Sequence, residues 1–344
     1  MRRSVVLGRG ANVADVAAQV ETFCRADSVT GQVLVVDGAR LPLESIPRRY
    51  AYDLASRPPL LLLAAVALAV PLLARAQQPP LFETTKITDN VYLFRYGGHQ
   101  SMFVVTPDGV IATDPIAQRR PVAATTYIAE IRKITPAPIK YVVYSHHHYD
   151  HIEGGKPFKD AGATFIAHMN AKTRLEVLKN PDVVIPDIGT GNLHVIELGG
   201  TRLELHYVGR NHSDNSLVML LPKEKLLFTV DFIPIESLQF RDFPDSFLPD
   251  FFDSFDRVLA LDWDRMIPGH PYAGGRLGTK DDVRAAKQYM VDLSDAVRQA
   301  QLAGKCFDTA MKEIKLPKYE KWRNYDAYLP GNIERFCEFW GGGI

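Results

Sequence analysis

Residues 145–151 read SHHHYDH, from Ser145 to His151, and follow directly on the apolar run Ile139–Tyr144. That run is largely β-branched and aromatic, as a strand buried on both faces requires. An extended chain points alternate residues the same way, so His146 and His148 project together where the strand ends. A turn after them re-aims Asp150 and His151 toward a second position close by, while His147, out of phase, points away. Imidazoles together with a carboxylate suit zinc, which accepts nitrogen and oxygen donors in open catalytic sites. The plain alternative is a histidine-rich surface loop. The place of the motif at a strand exit, and the existence of distant partners, argue against it.

Those partners are His212 in GRNHSDNS, Asp231 in LLFTVD and His270 in IPGH. Each follows a strand-like run and opens a loop, so all three can meet at one edge of a pair of sheets. Short β-rich runs at Val91–Tyr96, Ser101–Thr106 and Val110–Asp114 are separated by Gly-Gly and Pro-Asp-Gly turns. Helical spacing covers 118–134, and strand patterns recur at 163–167, 194–198, 201–208, 217–221, 225–230 and 265–267. Further helices are expected up to Leu178 and over 251–261. Strands first and helices interleaved later indicate two sheets with helices on their outer faces, a four-layer α/β/β/α sandwich in outline.

The ordered set H-x-H-x-D-H, then His212, Asp231 and His270, resembles the metallo-β-lactamase superfamily over roughly residues 82–274. The resemblance implies the α/β/β/α metallo-β-lactamase sandwich and two zinc ions per chain, other divalent metals being compatible with the same donors. By that resemblance His146, His148 and His212 hold the first zinc, and Asp150, His151 and His270 the second. Asp231 stands at the bridging position, as in glyoxalase II and the quorum-quenching lactonases. True β-lactamases usually have cysteine or serine there, which weakens an antibiotic-hydrolysing reading. Against this, HSDN is similar, one residue shorter, to the H-x-x-D-N run of one lactamase class. The implied reaction is attack of a metal-bridging hydroxide on a carbonyl of an ester, lactone, thioester or amide. Asp150 is the catalytic residue in that scheme, orienting the nucleophile and shuttling its proton. Ser213, Asp214 and Asn215 are candidates to orient the imidazoles, with surface capping as the alternative. A rival within the fold is a persulfide dioxygenase with a single iron, in which Asp150 and His270 would be spectators.

Two features frame an expected small-molecule pocket. Seven phenylalanines lie between Phe232 and Phe255, interrupted by Pro234, Pro244 and Pro249. They either wall an apolar substrate cavity, Phe240 among them, or pack the sandwich. The turn Gly97-Gly98-His99-Gln100 flanks the expected centre, so His99 and Gln100 are candidate substrate contacts, a plain hairpin turn being the alternative.

Formal net charge is zero, with 40 basic and 40 acidic residues, so the basic surplus of a nucleic-acid binder is missing. That opposes an RNA phosphodiesterase, and a purely binding role is opposed by the complete ligand set. Residues 60–74, LLLLAAVALAVPLLA, carry no charge, follow Arg48, Arg49 and Arg57, and precede Ala74-Arg75-Ala76. A membrane span needs about 20 apolar residues, so this shorter, Pro71-broken run reads as a secretory signal within 46–76. It places the mature chain in the periplasm or outside the cell after cleavage near Ala76, and anchors it to a membrane if uncleaved. The preceding residues 1–45 hold an amphipathic stretch, Asn12–Cys24, and VTGQVLVVDG at Val29–Gly38. They resemble a stray C-terminal fragment of a short-chain dehydrogenase and carry no nucleotide loop or catalytic tyrosine motif. The catalytic domain is expected over 77–278. Beyond it, 279–344 reads as a helical tail: a helix from Asp281, two shorter ones, and a mobile Gly-Gly-Gly-Ile end. The tail would either close the pocket or form a homodimer contact. Cys306 and Cys337 lie in it, and an oxidising compartment would favour their pairing, with simple burial as the alternative.

Overall fold

Alternation along the strands builds the layers. The computed structural model describes residues 80–271 and 273–343, so the dehydrogenase-like fragment and the signal-like segment lie outside the described residues. The first sheet has seven strands in chain order: β1 (Phe82–Lys86), β2 (Val91–Tyr96), β3 (His99–Thr106), β4 (Gly109–Thr113), β5 (Ile139–Val143), β6 (Thr164–His168) and β7 (Ile188–Thr190). Strands β1 to β4 form an antiparallel meander, and β4 to β7 run parallel. The second sheet follows the order β12-β11-β10-β9-β8, made of β8 (Leu193–Leu198), β9 (Thr201–Tyr207), β10 (Leu217–Leu221), β11 (Leu226–Val230) and β12 (Arg265–Pro268).

On β2, Val91 and Leu93 face the second sheet, while Phe94 and Tyr96 face outward. The same period of two recurs on β10, where Leu217, Met219 and Leu221 point inward and Val218 and Leu220 point to the outer helices. Both faces are buried, which is why such strands read as unbroken apolar runs. Three cores result. One lies between the sheets. A second packs the outer face of the first sheet against α1 (Ala123–Ile134), through Tyr127 and Ile131. The third packs the second sheet against α5 (Leu248–Ala260), α6 (Lys280–Leu302) and α8 (Tyr325–Gly342) through Phe251, Leu293 and Phe336. The expected α/β/β/α sandwich is the architecture observed.

Short helices complete the chain: α2 (Tyr149–Ile152) and α3 (Lys156–Asp160) after β5, α4 (Met169–Leu178) after β6, and α7 (Asp308–Glu313) near the end. The expected helix over 118–134 begins only at Ala123. Arg119 at φ 55 is left-handed, and Val122 caps the helix without a side-chain bond. The end of the chain also differs from expectation. Helix α8 has 18 residues and takes in Gly341 and Gly342 before Gly343 ends it at φ 74. Its face is apolar enough to join the third core, which holds the helix together past the glycines. Cys306 and Cys337 are disulfide-bonded, with Cα atoms 5.6 Å apart, tying the turn before α7 to α8. Among the described residues no helix is long and apolar enough to cross a membrane.

Candidate metal centre

The segments that follow β5, β9, β11 and β12 deliver the histidines and carboxylates to one edge of the sandwich. Residues 145–148 leave β5 in bends rather than as further strand, and α2 then carries Asp150 and His151. His146 is buried, and the Ser145 hydroxyl bonds its Nδ1 at 2.9 Å. Its Nε2 faces inward with no hydrogen-bond partner. The facing nitrogens of His148 and His212, Nδ1 and Nε2, stand 3.1 Å apart. Ligand atoms of His146, His148 and His212 lie within 4.8 Å of one another, as do those of His99, Asp150, His151 and His270. Asp231 groups with His146 and His151 and so links the two sets. Its Oδ2 is 3.1 Å from His151 Nε2, and its carboxylate is 3.2 Å from His270 Nε2. The seven residues read from the sequence therefore converge as two neighbouring nests that share one carboxylate.

The local backbone explains the convergence. A register irregularity between Phe228 and Val230 ends β11, and Val230 adopts φ 51 just before Asp231. Positive φ is a genuine outlier for a β-branched residue, and such strain gathers at functional sites. Gly269 leaves the room that Asp231 needs, since a Cβ there would stand 2.5 Å from Asp231 Oδ1.

Electrostatics favour a cation. Burial first, and then the neighbouring imidazoles His148, His151 and His212, hold His146 well below its ordinary pKa. Burial likewise brings His212 down to about 4. Both are thus neutral and able to donate lone pairs near neutral pH. Burial opposes charge on Asp231, but His151 and His270 outweigh it and keep the carboxyl well below its usual range. A buried, partnerless imidazole nitrogen beside the neutral His212 ring and the ionised Asp231 and Asp150 carboxylates is a donor set suited to divalent metal.

Outer contacts answer the remaining expectations. His147 does turn away from the nests, but not into solvent. Asn215 Oδ1 accepts its backbone N–H at 2.9 Å, and Arg174 Nη1 is 3.1 Å from its Nε2. Ser213 and Asn215 therefore serve His147, and Asp214 pairs with Arg174 at 2.8 Å; none of the three orients a nest imidazole. That position is taken by residues the sequence reading passed over. Asp245 Oδ2 lies 3.5 Å from His148 Nε2, on the ring edge opposite His212. Fully buried Asp114, at the end of the β4 run, lies 3.5 Å from His151 Nδ1 and accepts the Ser145 N–H at 2.8 Å. A carboxylate closing a strand beside the H-x-H-x-D-H strand was the available signal for Asp114. Asp245 lies in a loop and gave none.

Above the nests opens a cavity of about 560 Å³. Nest residues floor it, and Leu238, Phe240, Pro244, Tyr328, Arg119 and Arg120 are among its walls. His99 lines it with Nε2 3.0 Å from Asp150 Oδ2, placing it closer to the second nest than a substrate contact alone would require. Gln100 does not line it: the side chain is buried and donates to the Pro268 carbonyl, binding β3 to β12. Phe240 is half exposed on the wall, edge-on to Tyr328 at 5.6 Å. Phe232, Phe243, Phe251 and Phe255 pack the third core instead. Tyr328 belongs to α8, so the C-terminal helices contribute to the pocket wall.

The profile of the metallo-beta-lactamase superfamily matches residues 108–270. Solved structures with this fold include a metallo-beta-lactamase from Pontibacter korlensis, 20% identical, covering 61% of this chain and 99% of that one at TM-score 0.53. DIM-1 metallo-beta-lactamase, 21% identical, covers 62% and 98% at TM-score 0.53. Two subunits named 2,4-dinitroanisole O-demethylase, from Nocardioides sp. (strain JS1661), are similar over most of the chain. Subunit alpha is 26% identical across 76% of each chain; subunit beta is 23% identical across 75% of this chain and 82% of that one. Residues 108–270 thus carry a metallo-β-lactamase superfamily domain. That domain supports an enzyme with metal-dependent, hydrolase-like chemistry.

Proposed function

We propose that this chain is a dinuclear, zinc-dependent hydrolase in which His146, His148 and His212 hold one ion, Asp150, His151 and His270 hold the other, and Asp231 bridges them. The observation that carries the reading is the pair of nests sharing Asp231. A single-iron dioxygenase leaves Asp150 and His270 without a role, whereas here both face the second nest. Cations held by these residues would supply Lewis-acid chemistry, lowering the pKa of a bound water and polarising the bond under attack. Asp150, held by His99 and by the field of His151, stays ionised and can orient the attacking water and accept its proton. Water adds to the carbonyl carbon, the bond to the leaving oxygen, sulfur or nitrogen breaks, and the proton passes to that atom.

The wall of Phe240, Tyr328 and Leu238 offers aromatic and aliphatic surface against which an aryl substrate can pack. The relatives named 2,4-dinitroanisole O-demethylase put nitro-substituted aryl methyl ethers among the substrates to test. If this site acted on such an aryl methyl ether, water would add at the ring carbon bearing the methoxy group and methanol would leave with the proton, a hydrolysis that needs no oxidant. The test is a panel of aryl esters, lactones, thioesters, β-lactams and nitroanisoles with zinc-loaded protein. Hydrolysis of at least one carbonyl or aryl-ether class, abolished by a chelator and restored by zinc, is expected. One iron per chain with no hydrolysis would replace this reading by oxidation. The Cys306–Cys337 bridge supports export to an oxidising compartment, as expected of the signal-like segment.

A further inference from the structure

Arg120 stands out among the cavity walls because its charge is held in place without being neutralised. It follows β4, where the chain passes Ile116 at φ 49 and Arg119 at φ 55. Its Nε donates to the Ile116 carbonyl at 2.7 Å and one Nη2 hydrogen to the Asp150 carbonyl at 2.8 Å. A guanidinium has five N–H donors, so these two bonds fix the plane and leave the Nη1 edge for another partner. Among the described residues no carboxylate comes within ion-pair distance of it. Burial pushes its pKa down, with the fields of Asp150 and Glu153 acting the other way. Arg119, also on the cavity wall, is exposed and adds a second positive charge at the rim. The aromatic pair Phe240 and Tyr328 lines the same cavity.

We propose that Arg120 is a substrate anchor, and that the cavity selects aromatic substrates bearing an oxygen-rich, anionic or nitro substituent. The proposal rests on the hydrolase reading of the same site. A planar guanidinium held by backbone carbonyls loses little freedom on binding, and its fork matches a pair of oxygens in one plane. A ring carrying such a group meets the aromatic wall with its apolar body and Arg120 with its polar end. An electron-withdrawing substituent also makes the attacked carbon more electrophilic, so recognition and reactivity fall on the same substrates.

Two measurements test this on the full chain. The first compares kcat/KM for 4-sulfophenyl acetate and phenyl acetate, the sulfonate being a weak metal ligand but a good guanidinium partner. Wild type should prefer the sulfonated ester at least tenfold. Arg120→Gln should erase most of that ratio, Arg120→Lys should restore part of it, and Arg119→Gln should lower it by about two- to threefold. Loss of the anchored bond to the Asp150 backbone alone would slow both esters equally, so an unchanged ratio in Arg120→Gln overturns the proposal. The second is calorimetric binding of benzenesulfonate against methyl phenyl sulfone, which needs no turnover. Tighter sulfonate binding that Arg120→Gln and Arg119→Gln weaken supports the anchor even if no ester is hydrolysed, a result that would count against the hydrolase reading alone. Equal binding of the two compounds to wild type overturns the anchor while leaving hydrolysis standing.

Discussion

Val230 at φ 51 and Ile116 at φ 49 are β-branched residues in a backbone region they rarely adopt, and each sits within two residues of a site carboxylate, Asp231 and Asp114. Their strain is the local cost of aiming those carboxylates, and Gly269 removes the side chain that would block Asp231. Under the proposed two-ion scheme, Asp231→Ala should therefore leave a folded chain that retains about one metal ion instead of two, with turnover down by orders of magnitude. Gly269→Ala should act in the same direction through crowding. Atomic absorption on both variants checks this, and wild-type stoichiometry in Asp231→Ala would remove the bridge from the scheme. Around His148, Asp245→Asn should weaken metal affinity about tenfold by loosening the imidazole that faces His212. His147→Ala, expected from its phase alone to be nearly silent, instead breaks contacts to Asn215 and Arg174. It should cost about 1–2 kcal/mol of stability with metal content kept. Metal titration and denaturant melts, run on both variants, separate the two roles.

At the scale of elements, α6 carries the part of the chain beyond the sandwich and starts with a capping box, Thr279 with Asp282. The Asp282 carboxylate accepts the Thr279 N–H at 2.8 Å and pairs with Arg276 at 2.7 Å. Burial opposes its charge, but Arg276 and the Thr279 bonds outweigh it and depress its pKa. A depressed carboxyl stabilises the fold above its unfolded pKa and loses that contribution as pH falls through its folded value. Asp282→Asn should accordingly cost about 1 kcal/mol at pH 7, and the difference from wild type should shrink progressively below about pH 4. Equal stability of the two chains at pH 7 would show that the box is ornamental. The strand pattern was legible because two-sided burial yields apolar runs, as in LVMLL of β10. Strands β1 and β7 were not, since FETTK is exposed along most of its length and IGT spans three residues.

For the molecule as a whole, the C-terminal helices share a core with the second sheet and supply Tyr328 to the cavity. The Cys306–Cys337 bridge closes a separation of 31 residues across them. By the chain-entropy relation for a loop of that size, Cys337→Ser should cost about 3–4 kcal/mol. Thermal melts of wild type with and without reductant, compared with Cys337→Ser, check this. A melting point unmoved by either change would mean that the bridge adds nothing. Since Tyr328 rides on α8, the same variant should also raise KM for aryl substrates more than it lowers kcat.

By itself the sequence determined the sandwich, the seven side chains of the two nests and the placement of the metal chemistry at a sheet edge. Alternation yields the two sheets in outline; the full sandwich and the seven ligands rest on the ordered set H-x-H-x-D-H, His212, Asp231 and His270 and on the family resemblance it carries, which survives in one dimension. Only the tertiary structure decided that Gln100 is a structural tie, that His99 belongs beside Asp150, and that Asp114 and Asp245 back the imidazoles. The same holds for Arg120 and Tyr328 on the cavity wall and for the pairing of the two cysteines. These assignments depend on segments tens to hundreds of residues apart meeting at distances of a few ångströms. No local propensity encodes such meetings, because the packing of three cores sets them together.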